Sequence, residues 1–119
     1  MRKKIYYLDT CSTCARIMKE LNIDDSFEKH DIKKEQMTEE QVEEMAQIAG
    51  SYEALFSRVA MKYRAWGLNE KQLGERDYKN YILEEYTFLK RPVFLLGDEI
   101  FIGNSKKVVN AVAEKLKSA

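Results

Sequence analysis

Lys3-Lys4-Ile5-Tyr6-Tyr7-Leu8-Asp9-Thr10-Cys11-Ser12-Thr13-Cys14-Ala15-Arg16-Ile17-Met18-Lys19-Glu20-Leu21 changes its period partway along. Lys3 to Leu8 is a short β-rich run bounded by Asp9-Thr10. From Ala15 onward Ile17, Met18 and Leu21 recur at helical spacing, and Asn22 supplies a stop. The order is strand, Cys-x-x-Cys, helix. That spacing lets Cys11 sit at the helix N-terminus with Cys14 one turn in. The unpaired N–H groups of a first turn and the helix dipole favour a thiolate there. Cysteines so placed have pKa values of ~3.5–7.5 instead of ~8.5. Cys11, the outermost, is the candidate nucleophile. Cys14 is placed to attack a mixed disulfide on Cys11 and release the product.

Two other readings of the pair stand beside this one. A structural zinc site needs four ligands, and Cys11, Cys14 and the lone histidine, His30, supply at most three. Two inert buried cysteines remain an ordinary alternative. Redox chemistry is the reading that the strand–CxxC–helix context asks for.

Outward from this stretch, Ser26 to Ile32 gives a weak strand. Thr38 and Gln41 form a capping-box signature ahead of Val42, Met45, Ala46, Ile48 and Ala49, and Gly50 is the expected C-cap. A second helix is expected from about Tyr52 to Met61 or beyond, ending before Gly67. A third short one restarts near Asn69, and a fourth covers Tyr78 to Leu89. Residues 38–89 therefore read as an all-helical insert. Arg91-Pro92 then precedes a buried-strand run, Val93 to Leu96. Gly97-Asp98 is a hairpin turn signal, Glu99 to Ile102 the returning strand, and Lys106 to Lys117 an amphipathic last helix capped by Ser105 or Asn104. The plan is an α/β domain, β-α-β, helical insert, β-β-α, around a small mixed sheet.

Composition agrees with one soluble domain over 1–119. The chain has 119 residues, 45% hydrophobic and 34% charged, with twenty Lys+Arg against twenty Asp+Glu. Zero net charge gives no electrostatic reason to expect direct nucleic-acid binding. No apolar run nears the ~20 residues of a membrane span, and the N-terminus lacks a signal-peptide core. The expected location is the cytoplasm, where a structural disulfide is improbable and two neighbouring cysteines have a chemical purpose. A structural role is expected for His30, and core packing for Trp66 and the tyrosines of the insert. Lys62 and Arg64 read as a solvated face.

Tyr7 to Cys14, Arg91-Pro92-Val93-Phe94 and Ile102-Gly103-Asn104-Ser105 before a last helix together resemble the thioredoxin superfamily. The C-terminal hairpin is similar to that of glutaredoxins. The helical insert, Leu89-Lys90-Arg91-Pro92, and Tyr52-Glu53-Ala54-Leu55-Phe56 with Tyr63 and Gly67-Leu68 resemble more specifically the arsenate reductase (ArsC)/Spx family. The resemblance implies a thioredoxin-like fold, a four-stranded mixed sheet with a helical subdomain, and a cis peptide before Pro92. It implies a thiol-based reductase in which Cys11 attacks the substrate and Arg91 stabilises the thiolate or a tetrahedral oxyanion. Pro92 would shape the site. A small oxyanion or a disulfide is the implied substrate. Glutathione with glutaredoxin, or thioredoxin, is the implied external reductant, with no bound metal or prosthetic group.

The match has gaps. Where the family's insert arginine is expected the chain has Ser57, with Arg58 one residue displaced, about 100° round a helix. Ile102 stands at the hairpin arginine. The arginine that often follows the second Cys in CxxC members is Ala15 here, with Arg16 next. Arg58 and Arg16 are therefore secondary candidates for substrate binding. The second Cys resembles Spx-like members and implies an internal Cys11–Cys14 disulfide. Two alternatives stand beside the reductase. One is an Spx-like redox-switched regulator binding the RNA polymerase alpha subunit. The other is a general thiol-disulfide oxidoreductase that does not act on arsenate.

Overall fold

The computed structural model describes residues 1–118. Contacts divide it into two compact units, Met1–Glu35 with the segment from Arg91 onward, and Gln36–Lys90. The first holds β1 (Lys3–Tyr7), α1 (Ser12–Glu20), β2 (Glu28–Asp31), β3 (Val93–Leu96), β4 (Glu99–Ile102) and α5 (Lys106–Lys117). The second holds α2 (Glu39–Ala49), α3 (Met61–Ala65) and α4 (Glu75–Glu84), with three short 3-10 turns.

The four strands form one mixed sheet in the order β2-β1-β3-β4. β1 runs parallel to β2, with α1 as the crossover, and antiparallel to β3, which is antiparallel to β4. Alternation along the strands sorts their faces. Ile5, Phe94 and Leu96 join Ile17 of α1 and Val109 and Val112 of α5 in one core, with Phe27 edge-on to Phe94. Lys4 and Tyr6 alternate onto the opposite face. Lys4, although buried, pairs with Glu28 at 3.1 Å. Tyr6 sits opposite His30 in the register, the ring centroids 5.0 Å apart. His30 is buried, and its Nε2 lies 2.7 Å from the Glu35 carbonyl, which fixes Nε2 as the donor. It is a structural histidine.

The ends of α1 follow the sequence. Asn22 takes the left-handed conformation at φ 53°. The N–H groups of Asn22 and Ile23 donate to the carbonyls of Lys19 and Met18, which closes the helix. Ser105 caps α5, its Oγ accepting from Val108 N–H at 3.2 Å.

In the helical unit the capping box forms as expected. Thr38 Oγ1 accepts from Gln41 N–H at 3.1 Å, and Gln41 Oε1 accepts from Thr38 N–H at 3.0 Å. Gly50, at φ 98°, closes α2. The expected helix from Tyr52 to Met61 is not there. A 3-10 turn, Glu53–Leu55, gives way to extended backbone at Phe56, and α3 begins only at Met61. The reason is long-range. Phe56 and Leu89 form an antiparallel bridge, Ser57 N–H donates to Phe88 C=O at 2.7 Å, and Lys90 N–H donates to Leu55 C=O at 2.8 Å. The same bridge shortens the expected Tyr78–Leu89 helix. It starts earlier, at Glu75, and ends at Glu84, with a separate 3-10 turn at Tyr86–Phe88. The restart near Asn69 is a 3-10 turn, Leu68–Glu70.

Phe56 is fully buried. Its ring stacks on Phe88 at 5.0 Å and contacts Tyr78 and Tyr63. Tyr78 is buried in the same cluster, as expected of core packing, whereas Trp66 is 38% exposed while touching Tyr81 and Phe88.

Candidate active site

Cys11 is the N-cap of α1, with extended backbone at φ −91° and ψ 110°. It is pinned on both sides. Its N–H donates to Leu8 C=O at 3.0 Å, and its C=O accepts from Ala15 N–H at 3.1 Å. Both cysteines are free thiols, Cys11 half-buried and Cys14 buried. The division follows from helix period. Cys14 and Ile17, three residues apart, are the two buried residues of α1, so one sulfur faces the interior and the other stays at the helix mouth.

Burial pushes the Cys11 thiol up, but other effects outweigh it and hold it below the ordinary thiol range. They are the N–H and the thiol of Cys14, the N–H of Thr13 and the Arg91 guanidinium. The first-turn N–H groups and the helix dipole thus favour negative charge on the sulfur at the mouth of α1. Cys14 goes the other way. It is raised to about 11, chiefly by burial, with the hydrogen bond and charge of Cys11 adding to the rise and the Leu8 backbone and Arg91 opposing it. At that value about one Cys14 in 10⁴ is ionised at pH 7. The pair therefore holds its first negative charge on Cys11, with the Cys14 thiol as hydrogen-bond donor to it.

Arg91 and Pro92 enter from the start of β3, and the Arg91–Pro92 peptide is cis. Pro92 is buried, and its carbonyl accepts from Gly103 N–H at 2.9 Å. Gly103, at φ 98°, lies in the left-handed region that favours glycine. This bond fixes the turn between β4 and α5 beside the proline. Sequence reading passed over the Gly103 link. A glycine directly after the returning strand was its only signal. It also passed over Leu8, whose backbone touches both cysteines, because main-chain contacts leave no trace in residue identity.

Arg16 is exposed on α1 and lines a cavity of about 250 Å³ with Glu20, Asn104, Lys106, Val109 and Asn110. Arg58 belongs to the helical unit. Its Nη2 donates to Glu53 at 2.7 Å and to the Tyr78 hydroxyl at 2.8 Å. Ser57 is buried, and Ile102 is half-buried on β4. Among the described residues no three His, Cys, Asp or Glu side chains gather as a metal site requires, and no helix is long and apolar enough to cross a membrane.

A β-α-β, β-β-α sheet with a CxxC at the first helix mouth and a cis-proline heading β3 defines a thioredoxin-like thiol protein. A family model described as the ArsC family matches residues 6–112. The chain belongs to that family. Solved structures agree on the fold. A protein named YFFB has TM-score 0.79 at 20% identity, covering 96% of this chain and 98% of its own. An arsenate reductase from Vibrio cholerae has TM-score 0.77 at 17% identity, covering 96% and 97%. An arsenate reductase (ArsC) related protein from Brucella melitensis has TM-score 0.69 at 23% identity, covering 93% of each chain. No curated protein matches the chain.

Proposed function

We propose that the protein is a cytoplasmic thiol-dependent reductase of the arsenate-reductase type, with Cys11 as nucleophile and Cys14 as resolving thiol. The observation that carries this reading is the opposite poise of the two sulfurs, Cys11 half-exposed and lowered, Cys14 buried and raised to about 11. The Cys11 thiolate attacks the substrate. Once its sulfur is covalently bound, two of the effects that raise Cys14, the hydrogen bond and the charge of Cys11, are gone. Cys14 then ionises more readily and attacks the Cys11 adduct, leaving an internal disulfide. Resolution thus follows capture. Arg91 stabilises the thiolate, and glutathione with glutaredoxin, or thioredoxin, returns the pair to dithiol.

The substrate is an oxyanion or a disulfide. The name of the Vibrio cholerae neighbour supports arsenate. One observation favours a disulfide. Ile102 has no donor for an oxyanion, and Arg58 already serves Glu53 and Tyr78, which leaves Arg91 as the one family-matched arginine acting on Cys11.

The test is NADPH consumption with arsenate and, separately, with a disulfide substrate, each coupled in parallel to glutathione/glutaredoxin and to thioredoxin and corrected for the rate without the protein, with Cys11→Ser and Cys14→Ser alongside. Arsenate turnover lost in Cys11→Ser supports the oxyanion route, and the productive coupling names the reductant. Turnover with disulfides only supports the second route. No turnover with either, while a Cys11–Cys14 disulfide forms under mild oxidant, sinks the reductase. It would point to a redox-switched regulator, to be checked by binding to the RNA polymerase alpha subunit.

A further inference from the structure

A second cavity, about 280 Å³, lies along α1 and is lined by Tyr7, Leu8, Asp9, Ala15, Met18 and Lys29. We infer that it is a side-chain subsite of the reactive thiol, receiving an apolar residue near the cysteine of a peptide disulfide substrate. The inference rests on the disulfide form of the proposed function and names its substrate class.

Three observations carry it. The first is continuity with the thiols. Leu8 is the residue whose carbonyl holds Cys11 N–H and whose backbone acts on the Cys14 sulfur. Asp9 is two residues from Cys11, at most ~7 Å of chain, and Ala15 directly follows Cys14. A peptide joined through sulfur to Cys11 reaches the cavity within a residue or two. The second is size. The volume falls just under the ~300–1,000 Å³ of whole-ligand pockets, which suits one large side chain. The third is lining. Leu8, Ala15, Met18 and the Tyr7 ring are apolar. The two charges at the rim are already matched, Asp9 by Lys34 at 3.4 Å and Lys29 by Asp25 at 3.6 Å. A charged side chain would have to compete with these ion pairs, whereas an apolar one would leave water.

In the reaction, the Cys11 thiolate attacks one sulfur of the peptide disulfide. A Cys11–peptide disulfide forms and the other half leaves as a thiolate, which takes a proton from water. Cys14 gives its proton to water and attacks the Cys11 sulfur, and the peptide leaves as a thiol. Two electrons pass from the protein pair to the substrate disulfide, and an external dithiol restores them.

The experiment measures kcat/KM, under dithiothreitol recycling, for short peptide disulfides. A single Phe or Leu is walked through the positions on either side of the cysteine, against an all-Ala peptide and a small non-peptide disulfide. The expected result is an advantage of about tenfold or more for the apolar residue at one position. That advantage shrinks severalfold in Ala15→Leu, which fills the cavity from an exposed helix position, and in Met18→Ala, which strips its floor. Equal rates for all peptides overturn the subsite while leaving the thiol chemistry intact. An advantage that both variants preserve also overturns it, because recognition then lies elsewhere. No acceleration of any disulfide's reduction over the rate with dithiothreitol alone, the small one included, refutes the disulfide reading itself.

Discussion

Replacing Cys14 separates its two roles, as resolving nucleophile and as hydrogen-bond donor to its neighbour. In Cys14→Ala the Cys11 thiolate loses the S–H donor but keeps the N–H groups of Cys14 and Thr13 and the charge of Arg91. A hydrogen bond to a charged group is worth about 1.5–3 kcal/mol net. A thiol is a weak donor, and Cys11 is partly open to water that can replace it, so about 1 kcal/mol is the appropriate figure. At 1.36 kcal/mol per pKa unit, the Cys11 pKa rises by about 0.7. Cys14→Ser keeps a hydroxyl donor and leaves the Cys11 pKa at or below that of the parent.

The assay is the pH dependence of iodoacetamide alkylation, with the label placed on Cys11 by peptide mass spectrometry. The midpoint is the proper readout, not a single rate. Below its pKa, a thiol shifted by 0.7 unit has about fivefold less thiolate. Each remaining thiolate is about twofold more reactive, since nucleophilicity rises with basicity at a slope of ~0.4–0.5. Rates at one pH thus differ only about twofold to threefold. Identical midpoints in the Ala and Ser variants, or a lower one in Ala, would refute the donor role of Cys14 and with it the ordered capture-then-resolve scheme.

Four further outcomes are expected. Arg91→Gln raises the Cys11 midpoint by less than Cys14→Ala does, because its charge is the smallest of the named influences on that sulfur; the same alkylation profile checks it. Stability of the reduced protein falls between about pH 8.5, the ordinary thiol value, and about 11, because the raised Cys14 keeps its proton when folded and loses it when unfolded. Urea melts across that range should show a shallower fall in Cys14→Ala. Thr38→Ala removes the reciprocal cap of α2 and costs about 1 kcal/mol in a urea melt. Phe56→Ala empties the centre of the Phe88, Tyr78 and Tyr63 cluster and costs about 3–5 kcal/mol. A loss under 1 kcal/mol there would show that the cluster collapses to fill the space.

The sequence alone determined what local rules control. The strand–CxxC–helix order, the Thr38–Gln41 box, the Asn22 and Gly50 stops, the Gly97-Asp98 hairpin and the Ser105 cap each depend on residues within one or two turns. Each is found where it was read. Cys11 at the helix mouth follows from the same local pattern. Tertiary structure decided the rest, where partners distant in sequence compete with local preference. Residues 52–61 carry helical spacing, yet the bridge between Phe56 and Leu89 claims their backbone hydrogen bonds and interrupts the helix. Arg58 is one residue displaced from the family position in sequence, and its partners, Glu53 and the Tyr78 hydroxyl, which both accept from Nη2, are seen only in the fold. Two cysteines that differ little in sequence become one lowered and one raised thiol only because packing leaves one sulfur at the helix mouth and buries the other. Spacing places a side chain on a helix face, but burial and distant partners set the free energy of its charge.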